Sequence, residues 1–87
     1  MNNKIIICTP LKFYTQNDET FLFKWLKKIK SIKHIEGIGI ELHLHVDSKT
    51  ITKPELREFR GIFKRYNFEN IDQIENLKIE LFGNIKT

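Results

Sequence analysis

Two histidines stand two residues apart in a run that alternates polar and apolar side chains. His43 and His45 are flanked at the same spacing by Glu41 and Asp47. Residues two apart on a β-strand point to one face, so both imidazoles can approach a single ion. A zinc site needs at least a third protein ligand, and the other histidine, His34, is predicted near the end of a helix. The set Glu41, His43, His45 and Asp47 therefore predicts a polar strand face or a partner-binding surface. No metal and no cofactor is predicted, although a metal bound by the two histidines stays open as an alternative.

A second set of charged side chains recurs at helical spacing. Its members are Lys53, Arg57, Arg60 and Lys64, separated by four, three and four residues. This spacing places them on one helix face, where a row of cations can contact an acidic protein surface or follow the phosphates of a nucleic acid. An ordinary solvated helix face is the alternative. Two glutamates on the same helix disfavour nucleic acid.

The nucleophilic residues lack the neighbours that catalysis requires. Cys8 ends an apolar run with no base near it in sequence, so it is predicted to be a small buried residue. Ser31 and Ser48 are not bracketed by glycines in a nucleophile elbow, and the four glycines form no phosphate-binding loop. We therefore predict no catalytic residues and no enzymatic activity.

Length and charge narrow the class of protein further. A chain of 87 residues has room for one hydrophobic core, so residues 1–87 are predicted to form a single domain. Fifteen Lys and Arg exceed eleven Asp and Glu by a net charge of +4, which is spread evenly along the chain and identifies no polyanion partner. A single cysteine excludes an internal disulfide. Neither a signal peptide nor a membrane span is predicted, so we expect a cytoplasmic protein with no membrane partner.

The first half of the chain is predicted to contain two strands and a helix. The β-branched run Lys4–Cys8 predicts a strand in the middle of the sheet, followed by a connection with a short extended piece at Phe13–Tyr14. Helical spacing of apolar residues then predicts an amphipathic helix from about Asn17 to Lys33, broken by two glycines. Clean alternation predicts a strand over Ile38–Asp47 with one wet face.

The second half is predicted to contain a long helix, a short helix and a strand. Thr52 and Glu55 match a capping box that begins the long helix. Gly61, inside this helix, indicates close approach by another element or a partner. A short helix opens near Asn70, and Lys78–Phe82 is predicted as the last strand.

Together these elements predict an α/β or α+β domain in the order β-α-β-α-(short α)-β. About three strands carry two long helices on one face. Right-handed crossovers would make neighbouring strands parallel, and the direction of the last strand stays open.

Parts of the chain resemble small bacterial immunity proteins of polymorphic toxin and contact-dependent growth inhibition systems. The resemblance lies in ITKPELREFRGIFKRYNF at residues 51–68 with DQI at 72–74, and in FKWLKKIKSI at 23–32 with ELHL at 41–44. It implies an inhibitor that binds a cognate toxin domain in the cytoplasm and occludes its active site or substrate approach, as an antitoxin does. A small nucleic-acid-binding or regulatory domain is the alternative, and a homodimer stays open.

Overall fold

The computed structural model describes residues 3–12 and 16–83, which form three strands and three helices. The elements are β1 (Asn3–Cys8), α1 (Gln16–Lys27), β2 (Ile32–Ile38), β3 (Glu41–Asp47), α2 (Lys53–Arg65) and α3 (Asp72–Phe82). The extended piece predicted at Phe13–Tyr14 lies outside the described residues. The architecture is a small α+β fold, which confirms the predicted class in its coarse form.

The sheet has the strand order β1-β3-β2, and both strand pairs are antiparallel. The prediction of parallel neighbours was therefore wrong, as was the placement of Lys4–Cys8 in the middle of the sheet. β1 is an edge strand, but part of its outer edge is covered by α3. The backbone N–H of Ile7 donates to Gln73 Oε1 at 2.9 Å, and Gln73 Nε2 donates to the Ile7 carbonyl at 2.8 Å. A side-chain amide thus substitutes for a neighbouring strand.

A β-hairpin replaces the predicted end of the first helix and start of the second strand. α1 ends at Lys27, and β2 runs over residues that were predicted to be helical up to Lys33. Gly39 and Ile40 form the two-residue turn, with Gly39 at a φ of 58°, which a glycine adopts without strain. Because the chain reverses there, Ile38 and Ile40 do not continue the buried face of β3. They are 48% and 63% exposed.

The hydrophobic core lies between one face of the sheet and the helices. Leu42, Leu44 and Val46 of β3 alternate with half-buried polar residues, as their sequence pattern predicted. They belong to the same buried cluster as apolar residues from β1 and all three helices. From the helices this cluster includes Leu22, Leu26, Leu56, Phe59, Ile62, Phe63, Ile74 and Leu77.

The long helix α2 begins where the capping box predicted. The backbone N–H of Glu55 donates to Thr52 Oγ1, and the Glu55 carboxylate accepts from the Thr52 backbone N–H. The prediction of close approach at Gly61 is also confirmed. A Cβ placed there would lie 3.6 Å from Cζ2 of Trp25 in α1, which is ordinary van der Waals contact.

α3 continues through the residues predicted as the last strand. The helix spans Asp72–Phe82 and ends at Gly83, whose φ of 75° suits a glycine. Ile74 and Leu77 are buried, and Leu81 is half-buried, at intervals of three and four residues. This spacing keeps one helix face on the core, so the predicted strand at Lys78–Phe82 was wrong.

Candidate binding surfaces

The first surface is the outer face of the sheet, which lies opposite the buried face. Glu41, His43, His45 and Asp47, the four predicted strand residues, all lie on it because they alternate with the buried residues of β3. The strand register adds Ile5 and Ile7 from β1 and His34, Glu36 and Ile38 from β2. We call these nine residues the sheet face. The buried residues of the helices belong to the cluster that contains Leu42, Leu44 and Val46, which alternate with the sheet face along β3.

The histidines of the sheet face interact with its acidic residues and with one another. His43 Nε2 lies 2.9 Å from Glu41 Oε1, and because a carboxylate only accepts hydrogen bonds, that nitrogen carries the proton. The ring centres of His34 and His45 are 5.2 Å apart at an interplanar angle of 54°. His45 Nε2 is buried and 3.6 Å from Glu36 Oε1, too far for a hydrogen bond. These residues form a connected polar row across β2 and β3.

The placement of His34 corrects the sequence analysis. It was predicted near the end of a helix, but it lies in β2 directly opposite His45. Three imidazoles are therefore near one another, although within residues 3–12 and 16–83 no group of three His, Cys, Asp or Glu is arranged to hold a metal ion.

The sheet face is locally acidic although the chain is basic overall. Its register positions include three carboxylates, on Glu36, Glu41 and Asp47, and neither lysine nor arginine. Exposed aliphatic side chains accompany these carboxylates. Ile5 is 52% exposed at one side of the sheet and Ile38 is 48% exposed at the other. The face thus combines negative charge with apolar area that a partner can cover.

The second surface lies between α2 and α3. The predicted row Lys53, Arg57, Arg60 and Lys64 is exposed along α2, and its first three members line a groove with a volume of about 320 Å³. Lys64 does not line it. The remaining lining residues are Leu56, Ile74, Glu75, Lys78, Phe82 and Gly83. We call this cleft the basic groove.

Lys78 is the groove residue that the sequence analysis missed. It was assigned to a strand, whereas α3 presents it opposite the cations of α2. The sheet-face residues His34 and Glu36 were missed for the related reason that their segment was assigned to a helix and the loop after it. The alternation of His34 and Glu36 with Ile35 is a weak sequence signal for a strand there, because the isoleucines of the same segment also recur at helical spacing.

Cys8 fits the role that its sequence position predicted. Its side chain is fully buried, and burial raises the pKa of its thiol to about 12. The thiolate needed for nucleophilic attack is therefore scarce at neutral pH. Cys8 acts as a core residue next to β3.

Comparison with known proteins identifies no relative. Neither a protein-family model, nor a curated protein, nor a solved structure matches this chain. No helix among the described residues is both long and apolar enough to cross a membrane. The geometry of the two surfaces is consequently the basis for inferring a function.

Proposed function

We propose that this protein is an immunity protein that binds a cognate toxin domain through the sheet face and occludes the toxin's active site or its substrate approach. The observation that carries this proposal is the local charge of that face. The even net charge of +4 identifies no partner, but Glu36, Glu41 and Asp47 share one face with no cation at its register positions. The partner surface that complements it is basic, as the surface of a toxin acting on nucleic acid would be.

The apolar residues of the sheet face support a protein partner over a small ion. Ile5, Ile7 and Ile38 place aliphatic area around the polar row, and burying such area provides the non-directional part of binding free energy. The histidines and carboxylates between them supply the directional contacts. A protein surface with arginine or lysine side chains and apolar residues satisfies both requirements.

The test is to express the chain together with each toxin domain encoded beside its gene and to measure complex formation and growth. The expected result is co-purification of one such domain and rescue of cells that produce it. Glu41→Lys should weaken that complex about tenfold, since a favourable interaction with a basic partner becomes a repulsive one. Lys64→Glu is the matched control, because Lys64 lies outside both surfaces, and it should leave affinity and rescue unchanged.

Two results would contradict the proposal. Failure of the chain to bind or neutralise any neighbouring toxin domain would rule out the immunity function. Binding and rescue that survive Glu41→Lys combined with Glu36→Lys would show that the sheet face is not the contact surface. In that case the toxin would have to bind elsewhere on the domain.

A further inference from the structure

The basic groove between α2 and α3 has a chemistry that the sheet face does not use. Its walls carry Lys53, Arg57 and Arg60 from α2 and Lys78 from α3, against the single carboxylate of Glu75. Its lining also includes the apolar side chains of Leu56, Ile74 and Phe82. Leu56 and Ile74 are 3% and 2% exposed and belong to the core, so the half-buried Phe82 provides the accessible apolar surface of the groove. Four cations therefore surround a depression with one accessible aromatic ring.

Three of the four cations of the groove have no carboxylate partner among the described residues. Arg60 Nη1 lies 3.3 Å from Glu75 Oε1, which uses the one carboxylate. Lys53 Nζ is 5.6 Å from the centre of the Phe82 ring, a cation–π distance that leaves its charge available. Among the described residues, Arg57 and Lys78 make no ion pair. An anionic ligand in the groove would therefore meet at least two cations with no internal partner.

We propose that the basic groove is a binding site for an acidic peptide segment that inserts one apolar side chain between α2 and α3. The volume of about 320 Å³ lies near the lower limit for ligand pockets and suits one large side chain. Carboxylates on either side of that side chain would face Arg57 on one wall and Lys78 on the other. Arginine suits this role because its guanidinium can hold a carboxylate by two hydrogen bonds.

The ring of Phe82 favours a peptide over a nucleic acid. A phosphate backbone would use the cations but leave the half-buried Phe82 ring uncovered. An aromatic or aliphatic side chain on the peptide would pack against this ring. The site is independent of the proposed immunity function, because its residues lie on α2 and α3 and none belongs to the sheet face.

The probe is a fluorescently labelled dodecapeptide of Glu, Asp and Ser residues with one central Phe, titrated with the full chain at low salt. Fluorescence anisotropy should show a dissociation constant on the order of 100 μM, as for a short flexible peptide. The same peptide with Ser in place of Phe should bind several-fold more weakly. A peptide in which Lys replaces the acidic residues should not bind.

Variants of the protein locate the site. Arg57→Gln and Lys78→Gln should each weaken binding of the acidic Phe peptide about threefold to tenfold. Lys64→Gln, on the same helix but outside the groove, should leave it unchanged. Phe82→Ala should weaken binding of the Phe peptide while leaving that of the Ser peptide nearly constant, and circular dichroism checks that each variant is folded.

Three outcomes would overturn the proposal. The first is absence of binding at millimolar protein. The second is equal loss in Lys64→Gln and Arg57→Gln, which would show diffuse surface attraction. The third is equal affinity for the Phe and Ser peptides together with tighter binding of single-stranded RNA, which would identify a polyanion surface.

Discussion

Replacing Glu55 by Gln should lower the free energy of unfolding more than any other single change to an acidic side chain. Its carboxylate joins the start of α2 to the segment between α1 and β2. Ser31 Oγ donates to Glu55 Oε1 at 2.7 Å, and the Ser31 backbone N–H donates to Oε2 at 3.3 Å. The Thr52 backbone N–H donates to Oε1 at 3.0 Å and completes the capping box. Ser31 is 1% exposed, so water cannot replace these bonds freely.

The size of the loss follows from these contacts. The capping box itself survives, because Thr52 is unchanged and Gln can also accept from the Thr52 backbone N–H at this position. The amide NH₂ of Gln cannot accept a hydrogen bond, so at least one donor from Ser31 loses its partner, which costs about 1 to 2 kcal/mol at a buried position. We therefore expect a loss of about 1 to 2 kcal/mol in the free energy of unfolding at pH 7. For a domain of this size, that corresponds to a fall in Tm of roughly 4 to 16 °C.

Urea denaturation at pH 7 measures this loss. Unfolding is monitored by circular dichroism and by the fluorescence of Trp25, the only tryptophan in the chain. Glu69→Gln is the matched control, because the exposed Glu69 carboxylate makes no hydrogen bond or ion pair with the described residues. It should change the free energy of unfolding by less than about 0.5 kcal/mol. A Glu55→Gln variant as stable as the parent protein would refute the structural argument.

The pH dependence of the same pair of proteins provides a second check. Burial raises the pKa of Glu55, but hydrogen bonds from Ser31 and Thr52 outweigh it and lower the pKa from its ordinary value. A carboxyl group with a lowered pKa in the folded state stabilises the protein above its unfolded pKa of about 4.3, and this contribution is lost as pH falls through the folded pKa. The stability difference between parent and Glu55→Gln should therefore shrink below about pH 4. A constant difference from pH 7 to pH 3 would contradict the assignment.

Three further predictions concern the core and the sheet edge. Gly61→Ala should raise the free energy of unfolding by about 0.5 to 1 kcal/mol, because Trp25 leaves room for the Cβ and alanine favours the helix; a destabilised variant in urea titration would show that the helices cannot tolerate the methyl group. Gln73→Ala should lower the free energy of unfolding by about 1 to 2 kcal/mol, since the backbone N–H and carbonyl of Ile7 lose their side-chain partners. Hydrogen exchange should accelerate at the Ile7 amide, and unchanged protection there would refute the edge contact. Cys8 should react with a thiol reagent only after denaturation, because its pKa is raised to about 12 and the side chain is buried; rapid labelling of the native protein at pH 8 would contradict this.

Local sequence signals were sufficient for α2 and the alternating part of β3. The capping box of Thr52 and Glu55 acts within four residues, and an apolar stripe at helical spacing defines the rest of the helix. The alternation from Glu41 to Asp47 likewise indicates a strand with one buried face and one face toward solvent. These patterns are reliable because the interactions that they reflect lie close together in the chain.

The segment from Ile29 to Ile40 shows where local patterns were ambiguous. Isoleucines at positions 29, 32, 35 and 38 recur every three residues, which fits a helix face, yet residues 32–38 form a strand. Pairing with β3 makes this segment a strand, because it provides hydrogen-bond partners for the backbone N–H and C=O groups of both segments. The turn at Gly39 keeps the connection between the two strands short. Local patterns also failed to identify the element at residues 78–82, where packing against the core extends α3.

The sequence by itself determined the two sets of charged residues, the class of fold and the buried state of Cys8, because each depends on residue type and short-range spacing. Only the tertiary structure decided which residues join those sets. The antiparallel hairpin brings His34 and Glu36 beside His45 and so makes an acidic sheet face on a basic chain. The pairing of α2 with α3 brings Lys78 opposite Arg57 and turns a row of cations into a groove. Both surfaces depend on contacts between separate strands or helices, whose relative placement is set by backbone pairing and burial of the shared core and not by the spacing of the charged residues.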